Sequence, residues 1–285
     1  MASLRDIRKR IASVKNTQKI TKAMKMVAAA KLRRAEEAIK SGRPFSEKMR
    51  EVMMSLAART QAHPMLESRP AQKALLILVT ADRGLCGAFN TNLQRRAETF
   101  VKEMKAKSIQ VDLLTVGRKG NDYFRRRQVT RVEKFNNVMN SISYDLAGRI
   151  VSIVTEKFLA GEYQEVYVLY NSFRSAVTQV LTLRKLLPIA PDEEGWKPRR
   201  GYLYEPSEEE LLQELLPRYV QVQVFTGLLD SVASEHGARM SAMEAATTNA
   251  GEMINKLTLK LNRKRQESIT TELMEIVGGA EALKG

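Results

Sequence analysis

Apolar residues near the end of the chain fall alternately three and four positions apart. The series runs Leu229, Val232, His236, Met243, Ala246, Ala250, Met253, Leu257. Leu261, Ile269, Leu273, Ile276 and Val277 continue it with a drift in phase. Such spacing marks a narrow seam facing another helix, and it predicts one helix over 208–283. At ~1.5 Å per residue, about 75 residues span roughly 110 Å, more than a small domain can enclose.

A second long helix is predicted over 3–57. Ser3 and Asp6 form a capping-box-like start. Leu4, Ile7, Ile11 and Val14 keep the seam spacing; the phase shifts at Gln18, where Ile20, Met24, Val27, Leu32, Ala35 and Ile39 take over. Pro44, just after Gly42, predicts a kink or break. Pro217 predicts a kink or a start in the last helix.

The middle third has another texture. Strands are expected over 74–80, 111–116, 165–170 and 178–187, with helices over 91–105, 118–126 and 143–159. The run Ala74–Val79 is apolar throughout, as in a strand buried on both faces. Alternating strands and helices point to a mostly parallel sheet. The predicted fold class is therefore α/β plus a long coiled coil. Its N- and C-terminal helices pair antiparallel, and a Rossmann-like α/β domain is inserted between them. The expected divisions are 1–58 and 207–285 for the helices and 72–190 for the inserted domain. Because the last helix is longer, its end should project alone, bearing Leu273, Ile276, Val277 and Leu283 as an apolar tip. Bare apolar surface of that kind calls for a partner that sheathes it.

Charge sharpens the picture. Net charge is +15 and the pI near 9.9, which favours an acidic partner. From Met1 to Arg34 the only acid is Asp6, and Arg8, Lys15, Lys19 and Lys22 share one helix face. A solvated coiled-coil exterior normally mixes signs, so an acidic surface explains this stripe better. Nucleic acid fits less well, because no aromatics are interleaved with the bases. A single cysteine, Cys86, excludes an intrachain disulfide. No apolar run is long enough to cross a bilayer, and no signal-peptide pattern opens the chain.

Catalytic chemistry finds little support. Asp82-Arg83-Gly84-Leu85-Cys86-Gly87 follows a strand and precedes a helix, where phosphate loops occur. It has neither the Gly-Lys-Ser/Thr ending nor Gly-x-Gly-x-x-Gly, so it reads as a structural turn. His63 and His236 are the only histidines, and neither has metal-ligand spacing. No cofactor, metal or catalytic residue is expected. Gly227, Gly237 and Gly251 lie within the last helix and suggest close approach of another backbone.

Several stretches carry a resemblance. Ile11 to Lys31 (IASVKNTQKITKAMKMVAAAK), Asp82 to Asn90, YLYEP at 202–206, ASEHGARMSAM at 233–243 and ITTELMEIVGGA at 269–280 resemble the gamma-subunit family of F-type ATP synthases. The likeness runs end to end, and the length and start look bacterial. It implies a non-catalytic rotor shaft that couples proton-driven turning of a membrane c-ring to sequential changes in the catalytic beta subunits. The implied partners are an alpha3beta3 hexamer, an epsilon subunit and the c-ring, with one copy per complex and no nucleic acid. The implied location is peripheral, on the cytoplasmic side of the bacterial cell membrane. By matching motif, Met24, Cys86, Arg265, Gln266 and Thr270 would face beta and alpha subunits. Tyr202, Tyr204 and Glu205 would face the c-ring and epsilon. Two other readings are a basic coiled-coil nucleic-acid binder, marked by salt-dependent DNA binding, and a nucleotide enzyme with a helical stalk.

Overall fold

The computed structural model describes residues 3–57, 63–189, 205 and 207–282. In chain order the elements are α1 (Leu4–Ala57), β1 (Lys73–Val79), α2 (Phe89–Ala106), β2 (Gln110–Val116), α3 (Arg118–Phe124), β3 (Arg131–Phe135), α4 (Tyr144–Leu159), β4 (Glu165–Phe173), β5 (Gln179–Leu187) and α5 (Glu208–Ala282). Two compact units result: Met1–Val27 with Met240–Gly285, hereafter the helix pair, and Ala28–Arg239, the sheet unit.

The sheet unit holds five strands in the order β3-β2-β1-β4-β5. β3, β2, β1 and β4 are parallel and β5 is antiparallel. β1 is central and divides its side chains by the period-two rule. Leu75, Ile77 and Val79 enter one core with Ile150, Val154 and Phe158 of α4 and with Met53, Leu216 and Val220. Leu76 and Leu78 enter the other with Leu93, Ala97 and Phe100 of α2. Both faces are covered, which is why the β1 segment is apolar at every position. Ser143 caps α4 by accepting the Leu146 N–H at 3.1 Å.

β3 was not anticipated. Its segment, Arg-Val-Glu-Lys-Phe, lies at the sheet edge with no buried residue, so it carries no apolar alternation. Neither proline breaks its helix. α1 runs through Pro44 and α5 through Pro217. The carbonyl that Pro44 leaves without a helical donor belongs to Lys40, which is exposed to water. α5 starts well before Pro217: the Glu210 N–H donates to Ser207 Oγ at 3.2 Å, and Glu208, Glu209 and Glu210 fill the first turn, where acids offset the helix dipole.

In the helix pair the two helices run antiparallel along the seam. Lys25 pairs with Glu244 at 2.6 Å, Thr21 meets Thr247 and Gln18 lies beside Gly251. The capping box forms: Asp6 N–H donates to Ser3 Oγ at 3.2 Å, and Ser3 N–H to Asp6 Oδ2 at 3.1 Å. The Ser3 hydroxyl also donates to Asp6 Oδ2 at 2.9 Å, and this bond, then the one from the Ser3 N–H, holds the Asp6 carboxyl below its usual range.

The expected phase shift at Gln18 does not occur. Leu4, Ile7, Ile11, Val14, Gln18 and Thr21 form one unbroken seam of buried or half-buried positions, while Ile20 and Val27 are 59% and 57% exposed. On α5 the seam follows Met243, Thr247, Ala250, Ile254, Leu257 and Leu261; Ala246 is half-buried as expected, with Thr247 beside it, and Ile254 replaces Met253, which is exposed. The cause is a polar layer. Thr21 and Thr247 hydroxyls lie 2.7 Å apart, Gln18 Nε2 donates to the Thr247 carbonyl at 3.4 Å, and Thr247 Oγ1 donates to the Met243 carbonyl at 2.7 Å. Polar groups so satisfied keep a place that an apolar template would deny them.

Candidate functional site: the rotor surfaces

Extending the Gln18–Gly251 register brings Leu4 level with about Arg265. Beyond that point α5 continues without α1 beside it for roughly 25 Å. Every residue from Ile269 to Ala280 is exposed, among them Leu273, Ile276 and Val277. Leu283 lies outside the described residues.

Arg265, Gln266 and Thr270 are exposed at the start of this bare segment, and Met24 is half-buried at the seam. Arg8, Lys15, Lys19 and Lys22 are exposed, and none makes an ion pair among the described residues. Lys25, by contrast, is engaged with Glu244. Ile20, Met26 and Val27 add exposed apolar side chains to α1. Sequence reasoning assigned Ile20 and Val27 to the seam; following the heptad through the polar Gln18 and Thr21 would have placed them outside.

In the sheet unit the loop after β1 is fixed by its own side chains. Asp82 accepts backbone N–H groups from Arg118 at 2.9 Å, Asn137 at 2.7 Å and Met139 at 3.0 Å. Asn90 Oδ1 accepts from Ala81 N–H at 2.9 Å, and Thr80 Oγ1 from Gly120 N–H at 2.8 Å. The Asp82 carboxylate thus takes amides, including one at the start of α3, that a phosphate would otherwise use. The loop acts as a structural turn. Gly117 has φ +93°, and a Cβ there would lie 1.9 Å from the Thr80 carbonyl oxygen, so only glycine fits.

Cys86 is buried under this loop. Asn90 Nδ2 lies 3.2 Å from its Sγ, and burial pushes the thiol pKa up. Its neighbour Leu85 is 64% exposed with φ +63°, an uncommon conformation for a bulky residue. Arg239 ties the loop to α5. It pairs with Glu235 at 2.7 Å and donates to the Gly84 carbonyl at 3.2 Å. His236, expected on the seam, is buried beside it, with Nδ1 3.4 Å from Arg239 Nη1. Burial, then the Arg239 charge, lowers its pKa to about 4.

The helical glycines differ in what they approach. Gly237 faces the Ala176 backbone, where a Cβ would stand 2.9 Å from the carbonyl oxygen; Gly227 faces the Tyr170 ring and Gly251 the Gln18 side chain. Tyr202 and Tyr204 lie outside the described residues; Glu205 is exposed. No helix among the described residues is long and apolar enough to cross a membrane.

Comparison with known proteins agrees with this geometry. A family model described as ATP synthase matches residues 3–283. The ATP synthase gamma chain of Geobacter metallireducens is 53% identical over 290 residues, covering all of both chains. That of Trichlorobacter lovleyi is 52% identical over 289 residues, again with full coverage of both. Among solved structures, a chain from the Tetrahymena thermophila mitochondrial ATP synthase central stalk and c-ring is 27% identical. It has a TM-score of 0.61, with 80% of this chain and 99% of that one covered. A chain from the Euglena gracilis mitochondrial ATP synthase rotor, 20% identical, shares the fold at a TM-score of 0.65, with 93% of this chain and 98% of that one covered.

Proposed function

The chain belongs to the ATP synthase gamma-chain family, and from that premise we propose how its surfaces serve the role. A gamma chain is the central stalk of the rotor in a membrane-associated complex, and it is a non-catalytic subunit. Its work is mechanical. An asymmetric shaft cannot touch three equivalent catalytic subunits alike, so at any angle it biases each toward a different state.

The observation that carries this reading is the bare end of α5, whose exposed apolar side chains run from Ile269 past Val277 with no α1 beside them. Enclosure by the alpha3beta3 hexamer would remove that surface from water. An apolar sleeve has no directional bonds, so it lets Leu273, Ile276, Val277 and Leu283 turn without locking to one register.

The basic stripe Arg8, Lys15, Lys19 and Lys22 then meets acidic beta-subunit surfaces. Contacts that form and break each turn are best made of exposed ion pairs, worth about 0–1 kcal/mol each. Met24, Arg265, Gln266 and Thr270 join these contacts. Around Cys86 the touching atom would be Leu85, since the thiol lies beneath. Tyr202, Tyr204 and Glu205 face the c-ring and epsilon subunit. The divisions 1–58 and 207–285 act as shaft and 72–190 as foot. One copy serves each complex, peripheral to the membrane on the bacterial cytoplasmic side.

Co-expression with alpha and beta subunits tests the reading. The expected product holds one copy of this chain per three of each partner, with ATPase activity that depends on it. Partners that assemble and turn over equally well without the chain would refute it.

A further inference from the structure

The two faces of the sheet differ in charge. α4, which packs on one of them, carries Asp145 and Glu156 against Arg149 and Lys157. Both cations are paired, Arg149 with Asp145 at 3.5 Å and Lys157 with Glu162 at 2.8 Å. α2 and α3 pack on the other face. α2 with the Lys107 that closes it holds five cations and two acids, and residues 118–131 hold six cations and one acid. Those three acids are already engaged: Glu98 pairs with Arg127, Glu103 with Arg96 and Asp122 with Arg118. Arg95, Lys102, Lys105, Lys107, Arg125 and Arg126 are exposed and make no ion pair among the described residues.

These cations lie on one surface. Arg95 and Lys102 sit on the side of α2 opposite the buried Leu93, Ala97, Phe100 and Met104. The Arg127–Glu98 pair, and the bond from Gln94 Nε2 to the Lys119 carbonyl at 3.0 Å, draw α3 and the loop after it against α2. That loop carries Arg125 and Arg126. Among the described residues, no large apolar side chain between Leu85 and Tyr144 is exposed. A lasting protein interface has an apolar or aromatic centre with few charges, so this face lacks what would seat a fixed subunit. Nor does it offer a platform for stacking bases, because the Arg127 guanidinium covers the Tyr123 ring at 3.4 Å.

We propose that the α2–α3 face of the sheet unit is drawn to the anionic headgroup layer of the membrane. Unpaired cations spread over a surface attract a diffuse sheet of negative charge rather than one ligand. Such contacts have no register, so a turning rotor slides along the headgroups without locking. The attraction is separate from the α1 stripe. It rests on the gamma-chain role only for bringing this face near a membrane.

The test is co-sedimentation with vesicles of phosphatidylcholine mixed with phosphatidylglycerol, against vesicles of phosphatidylcholine alone. In the complex with alpha and beta subunits, the parent should bind the anionic vesicles and not the neutral ones, and raising salt should weaken the binding. A five-site variant, Lys102→Gln, Lys105→Gln, Lys107→Gln, Arg125→Gln and Arg126→Gln, should bind roughly tenfold more weakly or worse. All five positions are exposed, and glutamine matches lysine and arginine in helix propensity. The variant should therefore melt with the parent, which separates lost attraction from lost fold. In the free full chain the same five changes are made with Arg8→Gln, Lys15→Gln, Lys19→Gln and Lys22→Gln present throughout, and binding to the neutral vesicles measures what the apolar tip adds. The preference for anionic vesicles should again be lost. Equal affinity of parent and five-site variant for the anionic vesicles overturns the proposal. So does a five-site complex that binds vesicles as the parent does but sheds a subunit, because the face then belongs to an acidic protein. Failure to assemble with alpha and beta counts against the gamma-chain role alone, and the free chain still decides the lipid contact.

Discussion

The sheet unit and the helix pair solve the burial problem in opposite ways. In the sheet unit, β1 places Leu75, Leu76, Ile77, Leu78 and Val79 wholly out of water between two helical layers. In the helix pair, burial is confined to a narrow seam that runs on through the polar Gln18, Thr21 and Thr247. The first region holds its structure with its own core. The second leaves its apolar end and its cations open, a sensible state only for a surface that other subunits enclose. The lesson is that function sits where self-sufficiency stops.

The largest effect that could break this contrast comes from the core. Phe158→Ala in α4 should cost about 3–5 kcal/mol, read by chemical denaturation of the full chain. Ile276→Ala at the bare end should change that stability by less than about 0.5 kcal/mol, while impairing ATPase coupling in the complex. Similar losses from the two would erase the distinction.

Next is Asp82→Ala, which strands three backbone amides, one of them at the buried Met139. It should cost about 3 kcal/mol and raise hydrogen exchange at Asn137 and Met139. Unchanged exchange there would remove the loop from the self-supporting region.

A pH effect of intermediate size belongs to the same region. Folded His236 stays neutral down to about 4, against an ordinary value of 6.5. Between those values the unfolded chain binds more protons, so stability falls as pH drops through the window. Glu235 opposes this, because burial raises its pKa. The comparison is therefore between parent and His236→Gln, whose melting temperature should depend less on pH from 6.5 to 4. The difference should be on the order of 2 kcal/mol. Parallel pH curves would count against a buried neutral imidazole.

The smallest effect probes the seam. A double-mutant cycle of Thr21→Val and Thr247→Val should yield a coupling of about 1 kcal/mol. No coupling would mean that the polar layer does not set the register.

Much of this was legible in the sequence. Both long helices, the capping box at Ser3 and the α/β texture of the middle third follow from local periodicity and from side chains that bond within their own turn. β3 was not legible, because an edge strand with only Val132 and Phe135 half-buried among charged residues has no apolar alternation to read. The continuity of the seam through Gln18 and Thr21 was also hidden. A polar residue announces solvent until its partner is known, and that partner, Thr247, lies 226 residues away from Thr21.

Local pattern, then, was enough to determine which segments are helix and strand, the unequal lengths of the two long helices and the one-signed charge of α1. Tertiary structure alone decided the seam's phase, the turning of Ile20 and Val27 toward water and the exposure of Leu85 above Cys86. The physical reason is range. Backbone conformation answers to residues three or four positions away, whereas burial and polar satisfaction are settled by whatever folding brings alongside.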